Sequence, residues 1–205
     1  MLIVVNNGTH FLAEMQSALA RLDVEYDLVP GYELLTADVL SSYSGVILTG
    51  GDVHVYEPTG LVAAALDEQI LTLVATPILG ICLGHQLIAH DWGATIEALP
   101  APIDRHEVVE IVRDDLLFAG LAPRIGVRGA HDDAVTTLPV PLVRLARSRF
   151  SEYEAIRHPT RLVYGLQFHP EASGDTGLTI LGNFVRLCSD PRAKESPATA
   201  VEGSG

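Results

Sequence analysis

Cys82 stands in the run Gly80-Ile81-Cys82-Leu83-Gly84-His85-Gln86, with a glycine two residues to either side. Pro77-Ile78-Leu79-Gly80-Ile81 arrives as a buried strand, and Leu87-Ile88-Ala89 continues as a helix. Such a strand-to-helix turn presents the thiol from a tight bend, and its small neighbours let a substrate approach. The amides that open the helix favour negative charge, which suits a cysteine nucleophile. Taken alone, Cys82 reads equally as a small core residue, the commoner fate of a lone cysteine. Far along the chain, Gln167-Phe168-His169-Pro170-Glu171 closes another apolar run. The proline stiffens this segment. A histidine there can take a thiol proton and return it to a leaving amine, and a carboxylate can hold its tautomer. Singly, His169 reads as a surface histidine and Glu171 as a helix cap. A third stretch, Thr49-Gly50-Gly51-Asp52, ends a strand with a glycine pair that permits close backbone approach to a ligand. It lacks the Lys-Ser/Thr ending of a phosphate-binding loop, so no nucleotide is expected on it.

The elements that must position these residues alternate. Leu2–Val5, 45–48 and the segment reaching Cys82 are short apolar runs that read as buried strands, and 26–29 reads as a further strand closed by Pro30-Gly31. Helical spacing predicts helices over 9–22, 33–42 and 61–75, and from the turn at Cys82 to about His90. This alternation implies a parallel sheet with helices on both faces, and ligands at the carboxyl ends of its strands. Gly50, Gly51 and Cys82 all fall there. In the second half, 108–112, 125–128, 142–146 and 154–157 are short β-like runs joined by turns, which predicts an antiparallel extension. Residues 162–168 form a strand delivering His169, and 179–187 a closing helix. One domain over 1–188 is expected, with a disordered tail over 189–205, where Pro, Ala, Ser and Gly dominate.

Composition excludes several classes. The chain has 205 residues, 48% hydrophobic and 19% charged, which suits one domain with a substantial core. Its 26 acidic against 13 basic residues give a formal net charge of −13, which would repel a nucleic-acid backbone. No apolar run is long enough to span a bilayer, and no signal peptide is apparent. Two cysteines, Cys82 and Cys188, make no disulfide framework, so a reducing cytoplasmic setting is expected. The remaining histidines show no ligand spacing, and no metal is expected.

Gly80–Gln86, Gln167–Glu171 and Thr49–Gly51 together resemble the class I, triad-type glutamine amidotransferases over about residues 1–188. The resemblance implies a three-layer α/β/α, flavodoxin-like fold with a mainly parallel sheet and an antiparallel extension. It implies hydrolysis of L-glutamine to glutamate and ammonia, with Cys82 as nucleophile, His169 as proton shuttle and Glu171 orienting it. It also implies an oxyanion hole from the backbone N–H groups of Gly51 and Leu83, and substrate contacts from Gln86 and Gly50. Ammonia would pass to a separate synthetase subunit holding ATP and Mg2+, with no cofactor in this chain.

Ala130-His131-Asp132-Asp133-Ala134-Val135 resembles the Ser-His-Lys-Asp-Glu-Val segment of the separate amidotransferase subunits of archaeal-type GMP synthases. Ala replaces Ser and Asp replaces Lys. Anthranilate and aminodeoxychorismate synthase subunits carry Tyr-His-Ser-Leu here, which counts against them. His131, Asp132 and Asp133 are therefore candidate partner contacts, with His131 reading equally as a plain loop histidine. Three alternatives remain from the sequence: an amidotransferase subunit of anthranilate or aminodeoxychorismate synthase or of a specialised biosynthetic pathway, a stand-alone amidase of the same fold, and a regulatory homologue without chemistry.

Overall fold

The computed structural model describes residues 1–57, 65–73 and 75–190. Among the described residues, nine strands lie side by side in one sheet, in an order that is not that of the chain. The first five in that order are parallel: β2 (Tyr26–Pro30), β1 (Leu2–Asn6), β3 (Gly45–Leu48), β4 (Ile78–Ile81) and β9 (Val163–Leu166). β8 (Ala155–Arg157), β7 (Val143–Arg147), β5 (Ile96–Ile111) and β6 (Arg124–Val135) continue it antiparallel.

Alternation of side chains along each strand sorts the core into two apolar layers. Leu2, Val4, Ile47, Leu79, Ile81 and Tyr164 face α1 (Leu12–Arg21) and the closing helix α5 (Gly174–Ser189). Ile3, Val5, Val46, Leu48, Ile78 and Val163 face α2 (Ala37–Ser41), α3 (Ala65–Leu73) and α4 (Leu83–Asp91). A strand covered on both faces must be apolar at every position, which is why β1, β3, β4 and β9 read as uninterrupted runs, whereas β2 at the sheet edge carries exposed Asp27 and Leu28. The result is the three-layer α/β/α fold with parallel core and antiparallel extension that the sequence implies. Among the described residues, no helix is long and apolar enough to cross a membrane.

Several boundaries differ from expectation. α1 begins at Leu12 rather than 9, because Asn6 Oδ1 accepts from the amides of Gly8 and Thr9 and holds a turn there. α2 is confined to 37–41: Thr36 caps it by accepting from Val39 N, leaving 33–35 outside. Of the helix expected over 61–75, residues 61–64 and 74 lie outside the described residues. Residues 96–107, not read as strand, form most of the longest one. Pro100 and Pro102 hide it, yet they fall where the β5–β6 register shifts between Ala98 and Ile103, and there a missing N–H costs no ladder bond. His131, Asp132 and Asp133 lie within strand β6, not in a loop. The closing helix runs from Gly174 through Ser189, so Ser189 is not part of a tail; residues 191–205 of that expected tail lie outside the described residues.

Candidate active site

Cys82 joins β4 to α4 with φ 51° and ψ −102°, a left-handed backbone rarely adopted by a residue bearing a side chain. The turn is possible because its glycines are packed against backbone. A Cβ on Gly80 would meet Gly84, and one on Gly84 would come 2.8 Å from Leu48 Cβ. Helix α4 therefore starts directly against β3 and β4, and the strained turn aims the thiol into a cleft of about 590 Å³. Gly51, Gln86, Arg128, Ala130, His131 and Asp133 are among the residues lining that cleft with Cys82.

His169 follows β9. Its backbone N–H donates to Arg128 O at 2.8 Å, an isolated bridge that fixes the segment to β6. Its Nδ1 lies 2.9 Å from Glu171 Oε1, with both side chains buried. Its Nε2 lies 3.3 Å from Ala130 O, and Cys82 Sγ donates to the same carbonyl at 3.6 Å. Both ring nitrogens thus face acceptors, the arrangement of a doubly protonated imidazole. Burial alone would pull the His169 pKa down. The charge of Glu171 and the bonds to Cys82 and Glu171 outweigh it and hold the group at about 10. Phe11 packs on the imidazole with ring centroids 4.5 Å apart, and Arg128 lies over Phe11 in turn.

Gly50 is buried beside Cys82 and His169, and Gly51 next to it borders the cleft. A Cβ on Gly50 would lie 2.9 Å from His169 Cε1 and 3.3 Å from Cys82 Cβ. The missing side chain lets thiol and imidazole approach one another. We expect Gly50→Ala to push the imidazole aside and lower turnover about 10²-fold, read as kcat with the circular dichroism unchanged. An unaltered kcat would mean that the ring has room to yield.

Gly51 and Leu83 are neighbours: a Cβ on Gly51 would come 2.9 Å from Leu83 Cδ2 and would run into the Asn7 carbonyl. The Leu83 side chain is buried, while its position opens α4 beside the thiol. Gln86 is buried; its Nε2 donates to Asp133 O and Gln167 Oε1, both at 3.3 Å, so it ties α4 to β6 at the cleft wall. Of the three residues expected at a partner surface, only Asp132 is exposed. His131 turns inward, its Nδ1 2.8 Å from Asp133 O. Asp133 is buried and held by His54 Nδ1 at 2.6 Å and by the Tyr56 hydroxyl at 3.1 Å. That carboxylate raises the His54 pKa. No sequence signal marked this latch between the loop after β3 and strand β6.

Beneath the glycine loop, Asn7 Nδ2 donates to Thr49 O and, at 2.6 Å, to Asp67 Oδ2 of α3. Asp67 is fully buried, and its second oxygen finds no partner among the described residues. Burial raises its carboxyl to about 8, with the Asn7 bond pulling the other way. An acid raised above its unfolded value of 3.8 stabilises the fold fully below that pH and loses the effect as pH rises through 8. Asp67→Asn should therefore flatten the decline in thermal midpoint across this window. Parallel declines in both proteins would count against this assignment.

Residues 3–188 match the family model described as glutamine amidotransferase class-I. The chain is 34% identical over 188 residues to a glutamine-hydrolyzing GMP synthase subunit of Methanosarcina barkeri, covering 91% of this chain and 96% of that one. The backbone resembles a crystal structure of a Thermoplasma acidophilum protein with a TM-score of 0.85 at 28% identity, covering 96% and 97% of the two chains. It also resembles a glutamine amidotransferase of Thermotoga maritima, with a TM-score of 0.72 at 25% identity, covering 95% and 89%. The chain belongs to the class I glutamine amidotransferase family.

Proposed function

We propose that this chain is the glutaminase subunit of a two-subunit GMP synthase, with Cys82, His169 and Glu171 as its triad. The observation that carries the reading is a cysteine on a left-handed turn opening into the cleft and a histidine, fixed by a buried carboxylate, that converges with it on the Ala130 carbonyl. The 34% identity to a protein named as a GMP synthase subunit, over nearly the whole length, supports the choice of synthetase.

An amide is a poor electrophile, so attack, charge stabilisation and leaving-group protonation must all be supplied. Cys82 sulfur attacks the side-chain amide carbon of L-glutamine. The oxygen that becomes negative is held by the N–H groups of Gly51 and Leu83; one such donor is worth about 10²–10³ in rate. His169 gives its Nε2 proton to the departing nitrogen, which leaves as ammonia, and a thioester remains on Cys82. His169 then takes a proton from water, the hydroxide attacks the thioester, and glutamate leaves with the thiolate restored. Glu171 accepts from Nδ1–H throughout. Ammonia passes to the separate synthetase, which holds ATP and Mg2+ and aminates xanthosine monophosphate.

The test is glutaminase activity with and without an ATP-pyrophosphatase subunit, ATP and xanthosine monophosphate. Activity that rises with the complete set, with GMP formed, is the expected result. Equal, high activity in both arms without GMP would make the chain a stand-alone amidase.

A further inference from the structure

At the wall of the cleft, on the inward face of the antiparallel arm, three ionisable side chains meet that the reaction above does not use. Glu107 is on β5, His131 on β6 and Glu154 immediately precedes β8. All three are buried, and one ligand atom from each lies within 4.8 Å of the others. We propose that they form a site for one divalent transition-metal ion of the Zn2+ or Mn2+ class, which ties the β5–β6 arm to the segment entering β8.

The argument starts with the histidine. The Asp133 carbonyl can only accept, so the His131 Nδ1 bonded to it carries the proton. In the neutral ring Nε2 is then a bare lone pair. It is buried and finds no hydrogen-bond partner among the described residues. Glu154 Oε2 is in the same condition; neither Glu107 oxygen meets hydrogen-bond geometry, although the Ser148 hydroxyl lies near enough to pull its pKa down against burial. A lone pair and two carboxyl groups, all acceptors when unprotonated, therefore crowd one dry space. A divalent cation converts that conflict into three bonds, and imidazole with carboxylates is a donor set that Zn2+ and Mn2+ accept.

The surroundings orient the three groups as ligands. The imidazole N–H donated to a carbonyl is the support that metal-binding histidines ordinarily have. Glu154 Oε1 accepts from Ser148 Oγ at 2.7 Å, which fixes the carboxylate and leaves Oε2 directed away from that bond. Gly129, between His131 and Val127 on the inward face, clears the room: a Cβ there would run into Glu107 Oε1. Burial raises the carboxyls of Glu107 and Glu154, the penalty that a bound cation offsets. Positions 107, 131 and 154 form no ligand motif along the chain, which is why the sequence predicted no metal. Only the pleat and register of the extension bring them together.

The full chain, purified without chelator, is analysed for metal by mass spectrometry, then stripped and titrated separately with ZnCl2, MnCl2 and CoCl2. About one ion per chain is expected, with a higher thermal midpoint on readdition and a visible absorption band with Co2+. Glu154→Gln and Glu107→Gln should each abolish all three signals. X-ray absorption on the wild-type Zn2+ form should show one imidazole among oxygen donors, which keeps the test open if a variant fails to fold. Absence of metal together with no response to any of the three ions would overturn the site and leave protons as the groups shared there. Binding that survives both variants, or an absorption signature without imidazole, would overturn it equally. Loss of glutaminase activity is not a criterion, so the outcome is independent of the synthetase assignment.

Discussion

Cys82→Ala is expected to reduce glutamine hydrolysis by about 10⁴-fold or more, since removal of a nucleophile leaves only binding and charge stabilisation. The same variant should lose the covalent adduct that a glutamine-analogue electrophile forms on the wild-type chain, read by intact mass. Its stability should change little, because alanine inherits the same φ of 51°. Cys82→Gly separates the two properties. Glycine adopts positive φ without penalty. Relief of the strained residue is worth on the order of 1 kcal/mol, so this variant should melt above Cys82→Ala while remaining inactive. Wild-type labelling that persists in Cys82→Ala would place the nucleophile elsewhere. Equal melting of the two variants would mean that the turn stores no strain.

Glu171→Gln carries the second large effect. Glu171 opposes the burial that would otherwise drive His169 neutral, and its charge contributes most to holding the imidazole at about 10. Without that charge the ring deprotonates near neutral pH and loses the proton meant for the leaving nitrogen. A glutamine can also present its N–H to Nδ1 and select the wrong tautomer. The analogous loss of a triad carboxylate costs about 10⁴-fold in kcat. KM should hardly move, since Glu171 bonds His169 and lies off the cleft lining. Stability provides an independent reading. His169 is raised above its unfolded value of 6.5, so its contribution is complete below pH 6.5 and is lost as pH rises through 10. The gap in thermal midpoint between wild type and Glu171→Gln should be largest just below pH 6.5 and shrink above pH 10. A gap independent of pH would mean that the pair is not an ion pair.

The parallel half of the fold was legible because β1, β3, β4 and β9 are each covered twice and must be written in apolar residues. Leu2–Val5 and Gly45–Leu48 allow no other reading. The extension was less legible because its outer ribbon is paired on one side for much of its length. Strand β5 there carries exposed Glu97, Asp104 and His106 and two prolines. Short motifs marked Cys82, His169 and Glu171, since local turn chemistry shapes each. What joins them was invisible: the Ala130 carbonyl on which thiol and imidazole converge belongs to a residue with no functional side chain. Gly50 was singled out for its type, but its task is set by two side chains distant in sequence. His54 and Tyr56 reach Asp133 across 79 and 77 positions, a pairing that no local pattern encodes.

Residues 128–133 of β6 alternate strictly. Arg128, Ala130 and Asp132 are partly or fully exposed, whereas Gly129, His131 and Asp133 are buried. Because parity alone assigns these duties, inserting or deleting one residue here would exchange all of them at once. A buried histidine would be turned to water and an aspartate into the interior. The length of this segment is therefore expected to drift only in steps of two, whereas substitutions at exposed Asp132 should leave the alternation intact. A family of natural variants built on this chain should show free substitution at 132 beside a rigidly fixed spacing from 129 to 133.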